Sequence, residues 1–254
     1  MDRATAFSYQ CNKCGRCCHG QVITLSPYDV QRLARAARIS TSEAIARFTI
    51  RRGSILKFRQ YGGCTALMGP ICTLHSGRPL ACRVYPLGLE YVQQSGERYM
   101  NLEPALGSRG IYGEHGSVQG FLQVQGAELY LQANRQYAAL LGIFRARITE
   151  ISDFDVVEPR EFWRVARREA LAEKNFDFNP IIEALFDSDS CCCRAKPDFE
   201  FIDQHIKEIE RRIRTEHDAA VLAAAAVMLA VSLGYPPQAV MIGCRFSSSS
   251  SDCT

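Results

Sequence analysis

Strong charge of either sign is missing. Thirty Lys and Arg stand against 27 Asp and Glu, leaving a formal net charge of +3 over 254 residues. That surplus is too small to argue for nucleic acid, and no RNA-reading or helix-turn-helix pattern accompanies it. The opening residues Met1-Asp2-Arg3-Ala4-Thr5-Ala6-Phe7 have no apolar signal core, so secretion is not expected. The expectation is a cytoplasmic chain whose thiols stay reduced. Nor is there a convincing membrane span. The run Ala219 to Leu233 is apolar except for Ser232 and closes at Gly234-Tyr235-Pro236-Pro237. As a helix it spans about 22 Å, short of the roughly 30 Å of a bilayer core. A buried helix ended by glycine and proline is expected instead. Glycine at 107, 110, 113 and 116 lacks the prolines of collagen. It also lacks the Lys-Ser or Lys-Thr of a phosphate loop, so an irregular loop is expected there.

Cysteine is what the chain has in excess. Of twelve, seven fall in the first third: Cys11, Cys14, Cys17, Cys18, Cys64, Cys72 and Cys82. In a reducing compartment this density reads as a metal or iron–sulfur site. Adjacent Cys17-Cys18 and the triple Cys191-Cys192-Cys193 would be awkward in a disulfide framework. Cys11-x-x-Cys14-Gly15 has the form of a metal knuckle: two thiolates grip one ion from a tight turn. The glycine after the second can take positive φ, so that backbone N–H groups point at sulfur. Cys17 extends the spacing to C-x-x-C-x-x-C, also the form in which an iron–sulfur loop presents three ligands. Seven thiols exceed one tetrahedral site. They suit one four-ligand site plus a second, partly open one, or one cluster with spare thiols. His75 is a further candidate ligand and His19 a weaker one. Four thiolates on a divalent ion leave a charge of about −2, which Lys13, Arg16, Arg78 and Arg83 are placed in sequence to offset. The triple Cys191-Cys192-Cys193 reads as a loop thiol cluster without function, or else as a participant in metal delivery or redox chemistry, and Cys244 and Cys253 as incidental.

The fold class expected is α+β. A small, irregular, metal-stapled cysteine-rich module with short hairpins and helices covers residues 7–125. A mainly helical region follows over 126–245, then a disordered Ser-rich tail over 246–254. Val22 to Leu25 reads as a short strand. Ser26-Pro27-Tyr28-Asp29 starts a helix, with serine as cap, proline first and an acid three residues on. Ser40 and Glu43 repeat the signature for a helix to about Phe48. Ile55 to Tyr61 alternates as a strand. Residues 64–75 read as a hairpin around Met68-Gly69-Pro70, and 87–102 as a hairpin turning at Ser95-Gly96. Helices are expected over Leu129–Ile148, over Pro159–Glu173, after Asn179-Pro180 and over Asp198–Glu216. The last carries a stripe of Phe199, Ile202, Ile206, Ile209 and Ile213, read as core-facing or as a partner seam.

The ordered set Cys11-x-x-Cys14-Gly15-x-Cys17-Cys18-x-Gly20, Leu25-Ser26-x-x-Asp29, Cys64, Cys72-Thr73-Leu74-His75-x-x-Arg78-Pro79-x-x-Cys82-Arg83-x-Tyr85-Pro86 resembles the CxxCxxCC cysteine-cluster family. This YkgJ-type family is described as zinc- or iron-chelating, and the resemblance covers roughly residues 7–125. It implies that the seven cysteines are metal ligands, with Arg78-Pro79 and Arg83-x-Tyr85-Pro86 as their supporting shell. The family is similar in part to flagellin lysine N-methylases, which would imply an iron–sulfur cluster and S-adenosylmethionine. Members often carry an eighth cysteine downstream, where this chain has Glu103; a carboxylate there would favour a mixed zinc or iron site.

Three functions follow as expectations. The first is a cytosolic metal-binding protein, holding an iron–sulfur cluster or a zinc or iron ion. The second is a metal- or cluster-dependent modifying enzyme. No S-adenosylmethionine loop, no C-x-x-x-C-x-x-C run and no obvious base support it. The third is a metal-delivery or partner-binding protein docking through the Asp198–Glu216 helix, which requires the apolar stripe of that helix to be exposed. Any protein partner or substrate stays open.

Overall fold

A computed structural model of the protein describes residues 1–60, 62–92, 96–151, 180–189 and 196–235. The helix expected over Pro159–Glu173, the triple Cys191-Cys192-Cys193, Cys244, Cys253 and the Ser-rich tail lie outside them.

In chain order the described elements are β1 (Ala6–Gln10), α1 (Pro27–Ala37), α2 (Thr41–Phe48), β2 (Thr49–Ile50), β3 (Ile55–Leu56), β4 (Leu67–Met68), β5 (Ile71–Cys72), α3 (Leu80–Val84), β6 (Leu87–Val92), β7 (Gly96–Asn101) and β8 (Ile111–Ser117). Helices α4 (Val118–Val124), α5 (Glu128–Ile151), α6 (Pro180–Phe186), α7 (Asp198–Thr215) and α8 (Ala219–Ser232) follow. The mixed α+β class, with hairpins in the cysteine-rich part and a helical C-terminal half, is therefore as expected.

Local chemistry accounts for the early helices. The N–H of Asp29 donates to Ser26 Oγ at 3.2 Å, and the N–H of Ser26 donates to Asp29 Oδ2 at 2.8 Å. Pro27 follows the cap, completing the capping box. Helix α2 keeps half of that device. Ser40 accepts from Glu43 N–H at 3.0 Å, while the Glu43 carboxylate turns to Arg47 at 3.2 Å.

Two expected strands shrink. Val22–Leu25 is reduced to one bridge, Thr24 opposite Ile55. The strand from Ile55 stops at Leu56: Lys57 N–H still donates in register to Phe48 O at 2.7 Å, but Phe48 is the last residue of α2, so the partner strand goes no further. Tyr61 lies outside the described residues. The hairpin at residues 64–75 forms with Leu67 opposite Cys72, and the next with Leu87 opposite Asn101. The glycine-spaced segment is half a correction. Ile111–Ser117 is a strand, paired antiparallel with β1 through Tyr9–Tyr112 and Gln10–Ile111.

One apolar core runs through both halves. Helix α5 packs against α7 and α8. Ile202, Ile209 and Ile213 of α7 are buried, Ile206 is half-buried, and Phe199 is exposed while Phe201 turns inward. That stripe therefore faces the core and is not a free docking face. His205 lies beneath it, accepting from the Tyr137 hydroxyl at Nδ1 and donating from Nε2 to Ala184 O, both at 2.7 Å. Asp198, at the start of α7, takes Arg32 at 3.0 Å and Arg35 at 2.6 Å and so ties α7 to α1. Helix α8 is buried on nearly every side. Among the described residues no helix is long and apolar enough to cross a membrane.

Candidate metal centre

The cysteine loop is shaped by backbone before side chains matter. Lys13 has φ 49° and Gly15 φ 70°, so the chain reverses between Cys11 and Cys17. A side chain at Gly15 would meet the backbone of Pro70 at 3.2 Å, so the loop lies directly on the β4–β5 hairpin. Lys13 N–H donates to Cys11 Sγ at 3.4 Å. The N–H groups of Arg16 and then Arg109 point at Cys14 and hold its thiol below the usual range. This is the arrangement the glycine predicts.

Cys11, Cys17, Cys18, Cys64, Cys72 and Cys82 line one cavity of about 550 Å³, with His75, Arg78 and Arg83. They arrive from separate segments. Cys17 and Cys18 sit on a 3-10 turn, Arg16–Cys18. Cys64 is buried, its N–H donating to Cys18 O at 2.8 Å and its Sγ accepting from Ala66 N–H at 3.4 Å. Cys72 is on β5 and Cys82 on α3. Cys14 is coupled electrostatically to Cys17 but does not line the cavity.

The thiols perturb one another. Cys17, hydrogen-bonded to Cys18, is pulled down to about 7. Cys18 is pushed up, first by that same bond and then by burial. Burial raises Cys64 and Cys72. Burial raises Cys82 as well, and its neighbours Cys64, Cys17 and Cys72 raise it further. Crowded, half-desolvated thiols resist ionising together, and a cation among them reverses that preference, because the thiolate is the ligand.

Two guanidiniums border the thiols. Arg78 donates to His75 Nε2 and to Gln125 Oε1. Arg83 donates to the carbonyls of Arg78 at 3.1 Å, Gln125 at 2.8 Å and Ser76 at 2.6 Å, and lies 4.5 Å over the Tyr130 ring. None of these hydrogen-bond partners is a carboxylate, so both charges can offset thiolates.

Among the described residues, no three Cys, His, Asp or Glu side chains are drawn up as a finished ion site. The thiols share a space without closing a cage. The donor set nevertheless fits zinc or iron: soft thiols in number, backbone N–H groups aimed at sulfur, and cations at the margin. His75 lines the cavity. Glu103 is exposed and does not. His19 sits with Nδ1 3.0 Å from Gly15 O, outside the lining.

Sequence reasoning missed Gln125 and the contribution of the helical half, which supplies Asn134 and Ser232 to the cavity wall. Asn134 left one signal, an amide within the apolar stripe of a helix. It also missed the second task of Asp29, whose Oδ1 accepts the N–H of Leu80 at the start of α3. Burial raises the carboxyl of Asp29, against hydrogen bonds from Ser26 and Leu80 that lower it.

No curated protein and no solved structure matches the chain. Residues 10–101, which carry all seven of these thiols, match the model of the CxxCxxCC family, described as a putative zinc- or iron-chelating domain.

Proposed function

We propose that the protein binds zinc or iron, as ions or as an iron–sulfur cluster, through Cys11, Cys14, Cys17, Cys18, Cys64, Cys72 and Cys82, and that it does so in the cytoplasm. The observation that carries this is the opening of six of these thiols, from four chain segments, onto one cavity. Cys17, Cys18, Cys64, Cys72 and Cys82 perturb one another and would form the inner set. Cys11 and Cys14, on the surface loop, would close the site from outside. Bound iron would supply electron transfer or Lewis acidity, and bound zinc structural cross-linking or Lewis acidity.

The chain's own groups do the rest. Arg78 and Arg83 offset thiolate charge and are held in place by Gln125 and the Ser76 carbonyl. Asp29 fixes the start of α3 and thereby Cys82. The apolar wall excludes water and strengthens each of these interactions. The second reading, a metal- or cluster-dependent modifying enzyme, is favoured by a cavity far larger than an ion needs. The docking reading loses support, since Ile202, Ile209 and Ile213 of the α7 stripe are buried.

The test is anaerobic purification followed by an absorption spectrum and by iron, zinc and sulfide analysis of one sample. Iron and sulfide in similar amounts with broad visible absorption identify a cluster. Colourless protein with stoichiometric zinc identifies a zinc site and removes the cluster-based enzyme. Neither metal in the sample overturns the proposal.

A further inference from the structure

The cavity holding the thiols is about 550 Å³, whereas a water-sized occupant takes about 30 Å³. Its volume falls in the range of small-molecule pockets, which are mostly apolar with a few placed polar groups. Its walls are of that kind. Val84, Leu87 and Leu89 lead away from the thiols toward Tyr91 and Asn134, and Leu233 closes the same end. Four residue steps along β6 carry the strand from Leu87 to Tyr91, about 13 Å. Asn134 stands one turn of α5, about 6 Å, past Tyr130, on whose ring Arg83 lies. Thiols and amide thus occupy different ends of an elongated space.

The far end carries unmet hydrogen-bonding capacity. Asn134 is 4% exposed, and among the described residues its Oδ1 has no hydrogen-bond partner. The buried hydroxyl of Tyr91 lies beside the same amide, which acts on it as a hydrogen-bond donor, and its ring is fixed by stacking on Tyr235 at 4.6 Å. An amide oxygen left unpaired in an apolar wall costs free energy until a donor reaches it. Among the described residues no charged side chain lines this end: Glu97 and Arg135, the ionised groups that act on Tyr91, pair with each other at 2.6 Å and are not part of the wall. The cations of the cavity, Lys13, Arg78 and Arg83, belong to the thiol end.

We propose that this cavity binds a small neutral amphiphile, with an apolar body along Val84, Leu87 and Leu89 and an alcohol or amide head that donates to Asn134 and meets Tyr91. The body points the rest of the molecule at the thiols. The inference rests on the wall and its orphaned oxygen, and holds whichever metal the thiols take.

The test compares 1-octanol with 1-methoxyheptane, an ether of the same atom count that accepts hydrogen bonds but cannot donate one. Dissociation constants are measured by saturation-transfer NMR on the full chain. The metal content of the same sample is determined, and the titration is repeated after chelator treatment. The alcohol is expected to bind about tenfold tighter than the ether. Asn134→Leu should erase that preference, and Tyr91→Phe should reduce it, with metal content unchanged in both. The inference is overturned if neither compound binds either form, or if the preference survives in both variants. A preference for the alcohol in protein that never contains metal sustains the pocket while removing the metal proposal. Full metal with no alcohol binding does the reverse.

Discussion

Asp29 Oδ1 accepts the backbone N–H of Leu80 at 2.8 Å, across 51 residues of chain, while its Oδ2 accepts the N–H and hydroxyl of Ser26, each at 2.8 Å. One carboxylate thus starts two helices, and the second carries Cys82. Asp29→Ala would orphan both ends in a fully buried place. A loss of about 2–4 kcal/mol in urea unfolding is expected, combining a lost cap with unpaired N–H groups. Bound metal per chain should fall with it. Metal retention at full stoichiometry in a destabilised variant would separate Asp29 from the thiols.

Cys82→Ser should remove most bound metal, since Cys64, Cys17 and Cys72 all act on the Cys82 thiol. Arg78→Gln keeps a hydrogen-bonding side chain but deletes the counter-charge. It should weaken metal affinity by roughly 10–100-fold, the usual scale for a supporting group. Competition with a chromogenic chelator measures both. A triple Ser variant at Cys191, Cys192 and Cys193 should match the parent protein.

Gly77 is packed with no room for a side chain. An added Cβ would fall 2.2 Å from Arg32 O and 2.6 Å from the Ala36 Cβ. Gly77→Ala must therefore push the His75–Arg78 turn off α1. About 3 kcal/mol of destabilisation is expected, at the upper end for overpacking because the obstacle is backbone. An unchanged urea midpoint would contradict this packing.

His205 sets a pH window. Burial draws its pKa from 6.5 down to about 4, and the Ala184 carbonyl opposes this only in part. The unfolded chain therefore takes up the proton first as pH falls. The contribution is complete above about 6.5 and is lost progressively toward about 4. Linkage gives a drop of about 2 kcal/mol between pH 7 and pH 5 from this residue. Asp187, Glu208 and Arg212 also act on the ring, so the control is His205→Leu. That variant should be less stable at pH 7, leaving Tyr137 Oη and Ala184 O unpaired, and should lose this part of the pH dependence. A parent protein equally stable at both pH values would refute the assignment.

Short-range chemistry was legible in the sequence and long-range pairing was not. Ser26-Pro27-x-Asp29 announces α1, because capping is settled within four residues. The hairpin at 87–102 and the buried face of α7 follow from alternation and from 3.6-residue spacing. Strand β8 was hidden because its partner β1 lies about a hundred residues away and its glycines imitate a loop. Val22–Leu25 reads as a strand by composition, but its partner is only two residues long. In the candidate site, the thiols, Gly15 and the arginines could be read from spacing. Asn134 and Gln125 could not be placed there, because nothing in a helical stripe says which cavity it borders.

Tyr130 lies beneath Arg83, and Asn134 one turn further along the same helix. A fragment ending at residue 125 would keep every conspicuous thiol and lose the floor on which one of their guanidinium neighbours rests. Grafting the cysteine segment into another scaffold would therefore require the first two turns of α5 to travel with it. By the same reasoning, chains alike in their cysteines but different at these two positions should enclose chambers of different depth and different appetite.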